Sequence, residues 1–284
     1  MSELASTGRC LNCDAPLSGP FCSSCGQRAV PPNPTVSELT NDAWQELSGY
    51  DGRILATLRG LLRPGQLTQE YVAGRRAHYL PPLRVYLTVS VLYFVVASAA
   101  PTTIDGAPVR TGGLRIEVPE MAPGAMSEED RAQLQTALAE APGILRPMLQ
   151  SLLDDPAGFR ARVFAILPRV SFVMLPVFAG IVSLFYRRRA FPTALVFAAH
   201  LYSFMFAVMS VVELMKFTGS ANAAVGTAIL AMVLLAVYAL VAFRRVYGGA
   251  WVIIAAKTLA IMLIYSVASL PGLAAVVAWA SLSR

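Results

Sequence analysis

Five stretches of this chain are long, apolar and nearly free of charge, and they constrain its fold more than any other feature. They cover residues 83–104, 163–186, 190–213, 222–243 and 250–281, each close to or above the roughly 20 residues that an α-helix needs to cross ~30 Å of hydrocarbon. The expected fold is all-α: a polytopic membrane protein with about five transmembrane helices. Composition supports this, with 56% hydrophobic and 14% charged residues and a mean hydropathy of +0.56, where a soluble domain keeps about a quarter of its residues charged. Disorder, a secreted disulfide scaffold and a soluble enzyme are all poor fits. The fifth run carries only Lys257 as a charge and is long for one span, so Pro271-Gly272 is expected to kink it or divide off an interfacial end.

The net charge of +6 is carried almost entirely by arginine, since Lys216 and Lys257 are the two lysines. Much of it flanks the apolar runs, which favours topogenic charge and anionic-lipid contact over nucleic acid. Arg75 and Arg76 precede the first run and Arg84 stands at its very start, Arg187 to Arg189 join the second and third, and Arg244 and Arg245 join the fourth and fifth. With five spans these clusters share one side. The opposite side receives residues 105–162, which are mildly acidic. The positive-inside rule therefore predicts a cytoplasmic N-terminus and an extracytoplasmic C-terminus. No secretory leader is expected, because the first long apolar run begins only near Leu83.

All four cysteines lie in the first 28 residues, as Cys10-x-x-Cys13 and Cys22-x-x-Cys25-Gly26. Two CxxC knuckles aimed at one ion supply the closed four-thiolate shell that structural Zn²⁺ favours. Residues 1–28 have little core of their own, so metal binding would provide most of their folding energy. Disulfides are an alternative that needs an oxidising compartment, and rubredoxin-like iron is another. A closed site leaves no open coordination position, which suits a structural or partner-binding role. Residues 29–35, with three prolines, read as a stiff linker that makes the ribbon a separate module.

Between linker and first span, residues 36–82 read as amphipathic helices on the cytoplasmic side. Leu39, Ala43, Trp44 and Leu47 recur at helical spacing, with Ser37 as a cap. Farther on, Ile54, Leu55, Leu58, Leu61 and Leu62 gather on one arc with Arg53, Arg59 and Arg63 outside it, a pattern suited to a membrane surface or to the inner ends of the bundle. A short helix from Gln66 to Ala73 ends at Gly74. The cluster Arg75, Arg76, His78 and Arg84 is a candidate for lipid headgroup contacts. On the other side, Ser127 to Asp130 resembles a capping box, and a second apolar stripe runs from Ile144 to Leu153.

Polar groups inside spans are costly and mark candidate sites. His200 and Lys257 fall at similar depths in the third and fifth runs, with Tyr202, Ser203, Tyr265 and Ser266 nearby in sequence. Together they suggest an intramembrane proton-responsive or anion-binding site; the plainer reading is a cross-helix hydrogen bond for His200 and snorkelling for Lys257. Arg169 and Glu213 are expected to pair. With two histidines in the chain there is no HExxH motif, and no GxSxG elbow or Walker loop is present.

Taken together, Cys10-x-x-Cys13, Phe21-Cys22-x-x-Cys25-Gly26-Gln27, Thr57-Leu58, Leu61-Leu62-Arg63-Pro64-Gly65, Glu70-Tyr71-Val72, Gly74-Arg75-Arg76, Tyr79 and Pro82 resemble bacterial domain-of-unknown-function family 3667 over residues 10 to 100. The resemblance implies an N-terminal zinc ribbon joined to a polytopic region of the bacterial inner membrane, and it implies no activity. Arg75 stands where the family commonly has lysine, a change that keeps the charge. The leading functional expectation is a non-catalytic adaptor or assembly factor whose ribbon captures a protein partner. The alternative is a small-molecule or lipid transporter using His200 and Lys257, with a lipid-modifying enzyme third.

Overall fold

In the computed structural model of the chain, residues 8–29, 35–36, 53–101, 103–104, 107–108, 132, 135–139, 142–143 and 146–282 are described. The helix expected around Leu39 to Leu47, the body of the linker and the Ser127 capping box lie outside them. Among the described residues, eight helices of seven residues or more follow one another: α1 (Arg53–Leu61), α2 (Gln66–Val72), α3 (Pro82–Ala99), α4 (Arg146–Asp154), α5 (Pro156–Phe185), α6 (Phe191–Lys216), α7 (Ala221–Tyr247) and α8 (Trp251–Leu282). A two-residue antiparallel pair, β1 (Thr103–Ile104) and β2 (Ala107–Pro108), follows α3. Five helices, α3 and α5 to α8, are long and apolar enough to cross a membrane. The fifth runs unbroken in secondary structure through Pro271.

Local chemistry sets the helix starts. Helix α3 begins at the second proline of Pro81-Pro82, where a missing N–H costs nothing, and the Val85 N–H reaches the Pro81 carbonyl at 3.1 Å. Helix α5 begins at Pro156 under an Asp155 cap, whose Oδ1 accepts the Gly158 N–H at 2.8 Å. This helix therefore starts ahead of the apolar run at 163 that announced it.

The chain divides into two compact units, one of Met1–Ser90, Leu175–Phe206 and Leu235–Tyr265, the other of Val91–Met174, Ala207–Leu234 and Ser266–Arg284. In the first, α6 is the most enclosed element, with Ala194 to Ala199 all buried. Aromatic rings fill the space around it. Phe178 meets Tyr202 and Tyr265 edge-on at 5.6 and 5.3 Å, Phe204 stacks on Tyr238 at 3.6 Å, and Tyr186 stacks on Tyr247 at 4.1 Å. Helix α1 turns back into α2 through Pro64-Gly65, and this hairpin is fastened to α7 by three hydrogen bonds. Tyr238 Oη donates to the Leu61 carbonyl (2.8 Å), Arg245 Nη1 to the Pro64 carbonyl (2.7 Å), and Gln69 Nε2 to the Arg245 carbonyl (2.7 Å).

In the second unit, Arg162 ties three segments together. Its Nε donates to the Ala280 carbonyl (2.9 Å), its Nη2 to Ser151 Oγ (3.1 Å), and its Nη1 pairs with Asp155 (3.4 Å). One of the orphan carbonyls at the end of α8 is thereby satisfied. Phe159 and Ala280 are buried beside it, with Met148, Leu149, Leu153 and Val163 packed against them. Glu213 pairs with Lys216 one turn on, at 2.8 Å, rather than with Arg169; the i,i+3 spacing on one helix face makes that the shorter reach.

Many leucines, isoleucines and valines on the spanning helices are exposed in the protein itself, among them Val95, Val173, Leu230, Val252, Leu259 and Val267. Hydrocarbon is the medium in which such surface is stable. The hairpin turn has no such freedom. Gly65 has φ +73, and a Cβ there would lie 3.1 Å from both the Ala242 carbonyl oxygen and Val246 Cγ2. Gly65→Ala is expected to cost about 1–3 kcal/mol, read as a lower Tm in detergent. Gly180→Ala, in the interior of α5 with nothing within 4 Å, is expected to be neutral or to stabilise by up to about 1 kcal/mol.

Candidate functional site

The cysteine segment is built twice on one plan, offset by twelve residues. Cys10 N–H bonds to the Ala15 carbonyl and Cys22 N–H to the Gln27 carbonyl, both at 2.8 Å, and the chain returns with Asp14 N–H on the Cys10 carbonyl and Gly26 N–H on the Cys22 carbonyl. Asp14 (φ 62) and Gly26 (φ 72) occupy the same left-handed position in the two turns. Short bridges close each turn, Arg9 with Pro16 and Phe21 with Arg28. The repeat was present in the sequence as CLNCD and CSSCG, a signal that spacing alone did not exploit. Asp14 fills the position that glycine fills in the second turn, and its carboxylate pairs with Arg9 at 2.8 Å.

These turns bring the four thiols together. All four Sγ atoms lie within 4.8 Å of one another, with Cys10 to Cys25 at 3.6 Å and Cys13 to Cys22 at 3.5 Å. The cysteines are free. A tetrahedral ion bound at about 2.3 Å from each sulfur needs sulfurs roughly 3.8 Å apart, so the spacing fits one metal ion. The electrostatics fit as well. Backbone N–H groups of Cys25 and Ser24 aimed at Cys22 draw its thiol down to about 7, while burial, reinforced by the neighbouring thiols, pushes Cys25 up to about 11. Four sulfurs this close cannot all ionise without a cation among them.

The cluster does not hang free. Gln27 is buried and its amide makes three hydrogen bonds to one short segment: Nε2 donates to the Gly74 carbonyl (2.7 Å), and Oε1 accepts the N–H groups of Arg76 (2.9 Å) and Ala77 (3.0 Å). Gly74, at φ +85, lies so close to Leu11 that a Cβ there would meet its Cδ1 at 2.6 Å. Asn12 Nδ2 and His78 Nε2 lie 3.5 Å apart. The cysteine segment, expected as a separate module, is thus docked on the chain through Gln27. Gln27 and Gly74-Arg75-Arg76, distant in the chain, form a single joint directly after α2.

The basic residues assigned to headgroups already have protein partners. Arg75 grips Glu70 with both Nε and Nη2 (2.5 and 3.0 Å). Arg76 is buried, its guanidinium 4.5 Å from the centre of the Tyr71 ring and its Nε donating to the Tyr71 carbonyl. His78 faces Asn12, and Arg84 lies in the first turn of α3. The buried polar residues divide similarly. A 3.0 Å hydrogen bond joins His200 Nδ1 to Thr68 Oγ1 of α2. Lys257 Nζ donates to the Phe185 carbonyl (3.4 Å) and sits 4.7 Å from the Tyr186 ring centre. Tyr202 donates to the Tyr265 hydroxyl (2.5 Å). His200 and Lys257 therefore serve different neighbours, and of the expected polar patch the two tyrosines are the pair in contact. Thr68 and Gln27 carried no signal in the sequence beyond their places in the quoted motif and helix.

These features define an α-helical multi-pass membrane protein with a four-cysteine cluster able to hold a metal ion. Residues 51–94, the α1–α2 hairpin and most of α3, match the family model described as "Protein of unknown function (DUF3667)", so this stretch carries the signature of that family. The cysteine segment lies outside the match. No curated protein and no solved structure matches the chain.

Two outcomes follow from the joint. Gln27→Ala strands one carbonyl and two N–H groups, and is expected to weaken docking by about 2–4 kcal/mol at roughly 1 kcal/mol per bond. Hydrogen exchange at residues 74–77 should rise while bound metal per chain stays constant. The Arg75 guanidinium, by its hydrogen bonds first and its charge second, holds the Glu70 carboxyl below the usual range. A carboxyl lowered on folding stabilises the protein above its unfolded value of about 4.3 and loses that contribution as pH falls through the folded value. Acid titration of thermal stability should show this loss in wild type and not in Glu70→Gln.

Proposed function

We propose that this protein is a non-catalytic adaptor or assembly factor of the bacterial inner membrane. In this reading Cys10, Cys13, Cys22 and Cys25 bind one structural Zn²⁺, the N-terminus is cytoplasmic and the C-terminus extracytoplasmic. Arg75, Arg76, His78 and Arg84 stand at the headgroup level, where their protein partners leave a residual role in lipid contact. The observation that carries the reading is the joint at Gln27. It fixes the cysteine cluster on the segment leading into the first span, so that a surface on the ribbon is held in place at the membrane. Among its described residues the ribbon offers one large exposed apolar side chain, Phe21, 60% accessible. An aromatic ring on a rigid turn is a suitable anchor for a protein partner, since such rings lose little entropy on binding.

The transporter alternative draws on His200 and Lys257. Both are engaged within the protein, one by Thr68 and the other by the Phe185 carbonyl, and a transport site needs such groups available to substrate. That weakens the alternative relative to the adaptor.

Affinity purification at native expression, in mild detergent, tests the reading by comparing wild type, Phe21→Asp and Cys22→Ser. A stoichiometric protein partner is expected with wild type, together with one zinc per chain. Phe21→Asp should keep zinc and membrane abundance and lose the partner; Cys22→Ser should lose both. A partner retained by both variants, or no partner with wild type, overturns the adaptor reading.

A further inference from the structure

Helix α1 has three faces where an ordinary amphipathic helix has two. Thr57, Gly60 and Leu61 are buried in the protein. Ile54, Leu55, Leu58 and Leu62 are exposed by 40, 65, 46 and 72%; Leu62 follows the helix in the same winding, its N–H bonded to the Leu58 carbonyl at 3.1 Å. Arg59 and Arg63 are exposed as well. At about 100° per residue, the buried residues, the exposed apolar residues and these two arginines fall on successive arcs around the axis. The helix contains no acid between Arg53 and Leu62. Its buried face is already spent on the protein, so the exposed apolar arc awaits another cover.

The hydrogen bonds to α7 fix how far along that helix the hairpin lies. Gln69 and the Pro64 carbonyl meet Arg245, near the end of α7, while the Leu61 carbonyl meets Tyr238. Seven residues separate Tyr238 from Arg245, about 10 Å along the axis at 1.5 Å per residue. Arg244 stacks over the Trp251 ring at 4.0 Å, and an arginine-tryptophan pair at helix ends marks a membrane–water boundary. The end of α1 thus lies roughly 10 Å from that boundary, toward the apolar middle of α7. In-plane amphipathic helices sit ~5–10 Å into the boundary between headgroups and acyl chains.

We infer that α1 and α2 form a hairpin set into one leaflet, with acyl chains covering Ile54, Leu55, Leu58 and Leu62 and headgroup phosphates facing Arg59 and Arg63. The inference stands on the chain being an integral membrane protein and is independent of what the ribbon captures. The bilayer is the occupant that the depth and the charges select. Depth puts the apolar arc beside hydrocarbon, and two arginines on the neighbouring arc, neither paired with an acid among the described residues, suit anionic headgroups. The single hydrogen bond from Arg63 Nη1 to Gln66 Oε1, at 3.5 Å, leaves that charge available.

The test uses the full chain in vesicles of phosphatidylcholine and phosphatidylglycerol, with Trp44, Trp251 and Trp279 replaced by Phe and one tryptophan introduced at a time. Leu55→Trp and Leu62→Trp should emit to the blue and be quenched most by lipids brominated near the headgroup, and less by lipids brominated near the chain end. Arg59→Trp should be quenched less than either. Solvent-like, unquenched emission at 55 and 62 overturns the inference, because the face then meets water. Blue emission that neither lipid quenches also overturns it, because a second copy or another protein then covers the face. Wild-type chain provides a control free of substitutions. A phospholipid photoactivatable near its headgroup should label the tryptic peptide 54–59, and labelling confined to α3 and α5 to α8 counts against the inference.

Discussion

Hydrocarbon offers no hydrogen-bond partner, and this constraint organises the protein far beyond its five spanning helices. Each polar side chain placed inside must find its complement within the protein or carry the cost of a lost bond. Tyr202 uses Tyr265, Tyr238 uses the Leu61 carbonyl, and His200 uses Thr68. Two of these three complements belong to the α1–α2 hairpin rather than to a spanning helix. The hairpin therefore acts as the source of polar partners for α6 and α7, and it has to sit at their depth to do so. Its placement and the tolerance of a histidine and a tyrosine in those helices are one fact seen from two sides.

The spanning helices were legible because length and lack of charge are sufficient signals in lipid. The hairpin was only half legible. Periodicity gathered Ile54, Leu55, Leu58, Leu61 and Leu62 on one arc, yet in the structure Leu61 is buried while the other four are exposed. Apolar pattern distinguishes apolar from aqueous surroundings and has no means to separate protein interior from lipid. The two residues that complete the inner face, Thr57 and Gly60, are small or polar and drop out of such a pattern altogether. Thr57 is there because its hydroxyl accepts the Leu80 N–H at 2.9 Å, a contact set by the turn before α3.

The cysteines were legible as a cluster, and the docking of their segment was not. Proline-rich sequence between ribbon and hairpin argues for separation, but a linker constrains only what lies within it, and Gln27 acts across 47 residues to Gly74. Long-range hydrogen bonds leave no period and no composition signal. The pairing of His200 with Thr68, 132 residues apart, was hidden for the same reason. What made Gln27 visible in part was its place in a string with Gly74-Arg75-Arg76; the structure turns that string into geometry.

Magnitudes separate what the four cysteines and Gln27 can each hold in place. A structural zinc site is worth ~10–16 kcal/mol of apparent binding energy, while three neutral hydrogen bonds from one amide are worth about 2–4 kcal/mol. The fold of the cluster and its attachment to residues 74–77 therefore differ in strength by several-fold, if zinc is the ion as proposed. A metal bound by the four cysteines would hold the two turns together under any condition that leaves the thiolates intact, and the Gln27 joint would yield first. With metal bound, an undocked cysteine segment would keep its shape, keep Phe21 on a rigid turn, and free the Gly74–Ala77 backbone on the other side of the joint. Any ligand of either surface would then compete against an interaction of a few kcal/mol rather than against unfolding, which is the energetic range in which a contact can shift a population.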